Sequence, residues 1–106
     1  MSQPESELKK TLKHYLDMRH AFWSSVQGGA GSKPGDPDMV VCYRGIYIAV
    51  EAKTATGRLS GWQKTRKAEI ERAGGIYLVA RCVNDLAICL DRIDKQMDGV
   101  VEDEVM

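Results

Sequence analysis

Gly35-Asp36-Pro37-Asp38-Met39-Val40-Val41-Cys42-Tyr43-Arg44-Gly45-Ile46-Tyr47-Ile48-Ala49-Val50-Glu51-Ala52-Lys53 is the stretch that decides the fold, and it reads as a β-hairpin. Met39 to Tyr43 is a short apolar run, and Ile46 to Lys53 is a second run rich in β-branched and aromatic residues. Arg44-Gly45 supplies the turn; it is a weaker signal than Asn-Gly, because arginine resists positive φ, but Gly45 accepts it. A two-residue loop pairs Tyr43 with Ile46 and, five pairs further along, sets Asp38 opposite Glu51. A three-residue loop with a bulge would shift that pairing by one.

Side chains alternate along a strand, so Lys53 shares the face of Glu51, while Ile46, Ile48, Val50 and Ala52 point the other way. Directly opposed residues of an antiparallel pair have Cβ atoms only about 5 Å apart. Two carboxylates at that distance repel each other, unless a cation lies between them. The plainer alternative is an exposed strand face whose charges pair with solvated neighbours.

The remainder of the chain fits around the hairpin. A helix is expected from Gln3 to Arg19, with Ser2 and Glu5 as a capping box and Leu8, Leu12, Tyr15 and Leu16 at helical spacing. Ala21 to Gln27 alternates as a strand. Four glycines between Gly28 and Gly35 then preclude regular structure, leaving either a connector or a loop whose N–H groups and Lys33 approach a phosphodiester. Ser60-Gly61-Trp62-Gln63 is a second capping box and opens a helix to Ala73, ended by Gly74-Gly75. Ile76 to Cys82 forms a strand with Ile76, Leu78, Ala80 and Cys82 on one face, reached from the hairpin by a right-handed βαβ crossover. Asn84 is expected to cap a last helix, with Leu86, Leu90, Ile93 and Met97 inward and Gly99 at its end. The order αβββαβα gives an α/β fold, a small mixed β-sheet flanked by helices, as one domain over residues 1–106 with a frayed acidic tail from 98.

Hydrophobic residues make up 43% and charged residues 28% of the chain, which excludes a disordered class. No apolar run approaches the roughly 18 residues of a membrane helix and no signal peptide is recognisable, so a cytoplasmic setting without membrane contact is expected. Cys42, Cys82 and Cys89 lack metal-ligand spacing and are expected to be reduced core residues. His14 and His20 read as surface residues. Net charge is zero, yet residues 44–81 hold eight basic side chains against three acidic ones, and residues 82–106 hold two against seven. The centre is therefore a candidate phosphate-binding surface.

Gly35-Asp36-Pro37-Asp38, then Val50-Glu51-Ala52-Lys53 after a hairpin, then a helix with Gln63 in its first turn, resembles the PD-(D/E)XK nuclease signature and in particular its VRR-NUC branch. The Gly57-Arg58-Leu59-Ser60 and Ala73-Gly74-Gly75 segments add to the likeness, which covers residues 5 to 85. The resemblance implies a metal-dependent DNA endonuclease with a restriction-endonuclease-like core. It places Asp38, Glu51, Lys53 and Gln63 in the catalytic site. Asp38, Glu51 and the Ala52 carbonyl would hold Mg²⁺ or Mn²⁺, with Glu5, or alternatively Glu7, in support from the first helix. Glu5 also suits a helix start by itself, and Gln63 also suits a capping box by itself. Lys33, Arg58, Lys64 and Lys67 are the expected nucleic-acid contacts, and no small-molecule cofactor is implied. Single-domain members of this kind resemble phage-encoded ones, and junction-cleaving relatives pair, which suggests a homodimer acting on flap or four-way-junction DNA. Phe22, Trp23, Tyr47 and Trp62 either form part of that interface or fill the core. The alternative function is a non-catalytic nucleic-acid-binding module on the same fold.

Overall fold

A computed structural model describes residues 3–26 and 33–99. The glycine-rich segment 27–32, the Ser2 capping position and the acidic tail from residue 100 lie outside the described residues. The elements run α1 (Glu5–Met18), β1 (Phe22–Ser25), β2 (Met39–Tyr43), β3 (Ile46–Ala52), α2 (Gly61–Arg72), β4 (Ile76–Ala80) and α3 (Val83–Met97).

The hairpin forms in the expected register, from Tyr43 opposite Ile46 to Met39 opposite Val50. Arg44 and Gly45 both take positive φ, 52° and 86°, as a two-residue turn that follows the strand twist requires. β1 adds to β2 antiparallel, and β4 adds to β3 in parallel through α2, so the mixed sheet has the order β1-β2-β3-β4.

One face of the sheet carries Met39, Val41, Ile48, Val50, Ala52 and Ala80, and buries them against Leu8, Leu12 and Leu16 of α1 and Leu86, Leu90 and Ile93 of α3. Several fully buried aliphatic side chains, each contributing roughly 1.5–3 kcal/mol, make this the face that drives folding. α2 buries none of its own residues and lies over the opposite face, where Ile70 meets Gly75 and Tyr47. The Asp38 and Glu51 positions fall on that second face by strand alternation.

Several expectations need correction. The N-cap of α1 is Pro4, without a side-chain cap bond. α3 begins two residues earlier than expected, with Cys82 and not Asn84 at its N-cap, and the Asp85 carboxylate accepts the Arg81 N–H at 2.8 Å instead. β4 stops at Ala80 for the same reason: Cys82 has been taken by the helix start. All three cysteines are free, but only Cys89 meets the core expectation, half-buried against the core cluster; Cys42 and Cys82 are exposed, Cys42 because strand alternation turns it away from the packed face. Met97 is 44% exposed, one turn beyond the last buried position of α3. Of the four large aromatics, Trp23 packs against the core, whereas Phe22, Tyr47 and Trp62 are exposed.

The turn end of the hairpin is held by a polar network. Asp94 of α3 accepts the Tyr43 hydroxyl at 2.9 Å, Arg19 at 2.8 Å and Arg44 at 3.0 Å, and Arg44 also donates to Asp98 at 2.8 Å. These donors, the Arg44 bond first, hold the Asp94 carboxyl below the usual carboxylate range.

Candidate active site

Asp38 is fixed by its own backbone before its side chain does anything. Its N–H donates to the Val50 carbonyl at 3.0 Å, and its carbonyl accepts the Val26 N–H at 2.9 Å, which stitches it between β1 and β3. The carboxylate then accepts the Ala52 N–H at 2.8 Å through Oδ2. Oδ1 lies 3.1 Å from Lys9 Nζ.

Glu51 is 5% exposed, unusual for a carboxylate. Its Oε2 accepts the Gln63 amide at 2.9 Å and lies 3.7 Å from Lys53 Nζ. Its Oε1 is buried and has no hydrogen-bond partner among the described residues. Burial raises the Glu51 carboxyl to about 7, and the Asp38 charge adds to the rise while Lys53 opposes it.

Gln63 performs both of the roles that its position suggests. Ser60 Oγ accepts the Gln63 N–H at 3.1 Å, and Gln63 Oε1 accepts the Ser60 N–H at 2.8 Å, closing the capping box. The remaining Nε2 is thereby aimed at Glu51. Gly35 brings the preceding loop against this helix start. It has φ of 86°, and a Cβ there would lie 2.4 Å from the Trp62 carbonyl oxygen.

The sequence-predicted residues thus divide. Asp38, Glu51, Lys53 and Gln63 come together, and Ala52 touches the cluster through its N–H. Glu5 joins it by an ion pair with Lys9, at 3.6 Å, and its charge also bears on Glu51; Glu7 is exposed and makes no such contact among the described residues. Lys33, Arg58 and Lys64 are exposed, while Lys67 pairs with Glu71 at 2.8 Å. Arg66 is committed internally, to Asp36 at 3.3 Å, to the Pro34 carbonyl and to Glu69.

Two residues of the cluster escaped the sequence reading. Lys9 was legible as the i,i+4 partner of Glu5, but only the fold brings it to Asp38. Tyr77 pairs with Ala49 on the Glu51 face, and its buried hydroxyl has no partner among the described residues. Burial, then the Glu51 charge, pushes that hydroxyl up to about 12. No sequence signal distinguished it from a core aromatic.

The donor set suits a hard divalent cation. Two carboxylates of like charge share a half-buried face, and an anionic oxygen is buried without a partner, which is costly unless a cation completes it. Among the described residues no three His, Cys, Asp or Glu side chains converge on one point. An ion here would therefore take most of its shell from backbone oxygen and water, as Mg²⁺ commonly does.

No family model matches the sequence, and no curated protein is similar to it. Solved structures are. One described as a VRR_NUC domain shares 18% identity over 92% of this chain and 97% of its own, with a TM-score of 0.65. A second, described as a VRR_NUC domain protein, shares 15% identity over 92% of this chain and 91% of its own, with a TM-score of 0.67. The chain therefore has the VRR_NUC fold, and this agrees with the resemblance read from Asp38, Glu51 and Lys53. No helix among the described residues is long and apolar enough to cross a membrane.

Proposed function

We propose that this chain is a divalent-metal-dependent DNA endonuclease that hydrolyses phosphodiester bonds, selective for branched DNA such as a flap or four-way junction. The observation that carries the reading is the buried Glu51 carboxylate, one oxygen unpartnered, sharing a face with Asp38 and standing 3.7 Å from Lys53. A binding-only module would gain nothing from two carboxylates facing phosphates, and so has less support.

Asp38 and Glu51, with the Ala52 carbonyl, would hold Mg²⁺ or Mn²⁺. A bound ion supplies Lewis-acid activation of the scissile phosphate and a more acidic attacking water. Lys53 orients that water or offsets charge growing on the phosphate, from a position already fixed beside Glu51. Gln63 and the Ala52 N–H hold the two carboxylates so that neither swings to meet the ion. Lys33, Arg58 and Lys64 present exposed cations to the DNA backbone, and Lys67 joins them by exchanging Glu71 for a phosphate, since an exposed ion pair is weak. Exposed Phe22, Tyr47 and Trp62 are the side chains offered to a second copy in a homodimer. A cytoplasmic setting and a phage or bacterial origin complete the reading, supported by the sequence resemblance alone.

Duplex, flap, single-stranded and four-way-junction DNAs incubated with the protein and Mg²⁺ or Mn²⁺ test it. Cleavage that chelator abolishes is expected. Metal-independent retention of DNA without cleavage would support the binding module instead.

A further inference from the structure

Lys9 places a second ammonium in the acidic cluster. Its Nζ lies 3.1 Å from Asp38 Oδ1 and 3.6 Å from Glu5 Oε2, bridging two carboxylates that otherwise do not meet. Lys53 stands by Glu51 and Lys9 by Asp38, so each site carboxylate has its own lysine. The two differ in freedom: the Lys53 side chain is 16% exposed and the Lys9 side chain 33%. Lys9 also hangs on a flexible four-carbon stem at the start of α1, next to solvent.

A cation held between two carboxylates competes with any other cation for the same oxygens. We propose that Lys9 is a built-in counter-ion: its ammonium neutralises Asp38 and Glu5 in the metal-free protein, and a divalent ion takes Asp38 only by displacing it. The inference rests on the metal-site reading above. Displacement frees Glu5 at the same moment, because Lys9 is the contact that ties it to the cluster. A third carboxylate then becomes available when a doubly charged ion needs it. The device has a physical logic. Without Lys9, the metal-free protein holds Asp38 and Glu51 together with Lys53 as the one described compensating ammonium, and self-repulsion opposes folding. With Lys9, the fold is secured, but the ion is bound more weakly than the carboxylates alone would bind it.

Titration calorimetry with Mn²⁺ and with Ca²⁺ on the intact chain tests this, comparing wild type with Lys9→Met, Lys9→Gln and, as control, the exposed neighbour Lys10→Met. Both Lys9 variants should bind the ions about tenfold more tightly, and Lys10→Met should match wild type. The Lys9 variants should also melt at lower temperature without metal, and the difference should close at saturating Mn²⁺, because the ion binds the folded state alone. Lys9→Gln keeps a donor for Asp38, so it preserves the fold if Lys9→Met does not. Equal or weaker ion binding by the Lys9 variants overturns the counter-ion role while leaving the metal site standing. No ion binding by wild type or by any variant overturns the metal-site reading itself.

Discussion

Gln63 reaches Glu51 across 2.9 Å with the amide nitrogen of the side chain whose oxygen caps α2. Helix start and candidate active site are thus one construction: the cap orients the amide, and the amide orients the carboxylate. Gln63→Glu separates the two functions, since glutamate at this position keeps the capping box but sets a like charge against Glu51. Cleavage should fall at least tenfold, while Gln63→Ala should lose cleavage and also about 1 kcal/mol of stability with the bond from the Ser60 N–H. Chemical denaturation of the two variants beside nuclease assays checks this.

Glu51→Gln should abolish cleavage and stabilise the metal-free protein at pH 8. In the folded chain the carboxyl titrates near 7, against 4.5 for its ordinary value, so the folded state binds more protons in that window. Stability contributed by this group is therefore lost as pH rises from about 4.5 to 7. Asp94 has the opposite sign: its depressed carboxyl contributes stability above the ordinary value of 3.8, lost as pH falls. Metal-free wild type should melt highest in mildly acidic buffer and lower at pH 8, whereas Glu51→Gln should lose the alkaline decline. Melting curves from pH 3 to 8 decide the matter.

Lys53→Ala should reduce turnover by about 10²- to 10⁴-fold with little change in DNA affinity. Lys64→Glu should do the reverse and flatten the salt dependence of binding. Lys67→Glu should have a smaller effect on binding than Lys64→Glu, because Lys67 is already paired with Glu71. Equal losses of affinity and turnover from Lys53→Ala and Lys64→Glu would assign Lys53 to phosphate anchoring.

Gly35→Ala should cost more than Gly45→Ala, although both glycines have φ of 86°. A methyl at Gly45 meets nothing within 4 Å, and only the backbone strain of about 1 kcal/mol applies. At Gly35 it strikes the Trp62 carbonyl and moves the start of α2, so activity should fall together with melting temperature.

Light scattering after gel filtration should give twice the 11.8 kDa chain mass at micromolar concentration. Phe22→Ser and Tyr47→Ser should lower it. A single-chain mass throughout would leave one active site per particle and single nicks in place of paired cuts.

The hairpin, its register and the four residues at its open end were legible because they depend on local rules, namely alternation, turn length and capping. What was not legible depends on which elements meet. Lys9 had only its partner four residues earlier to announce it, and nothing in the chain indicated that α1 would bring it to Asp38. The Asn84 cap failed because Asp85 offered its carboxylate to Arg81, and a cap pattern cannot choose between adjacent acceptors. Cys42 faces outward, against expectation, because it lies in an apolar run whose alternate positions leave the packed face.

The Arg19–Tyr43–Arg44–Asp94 network lies at the closed end of the hairpin, about 17 Å along the strands from Asp38 and Glu51 at roughly 3.3 Å per residue. It acts on the site as the fixed end of a ruler. A slip of one residue at the turn would carry Asp38 to the packed face and leave Glu51 without its companion, with every residue of the site still present. Damage to Asp94 would therefore act as a loss of alignment at a distance, silencing the chemistry of a site that it never touches.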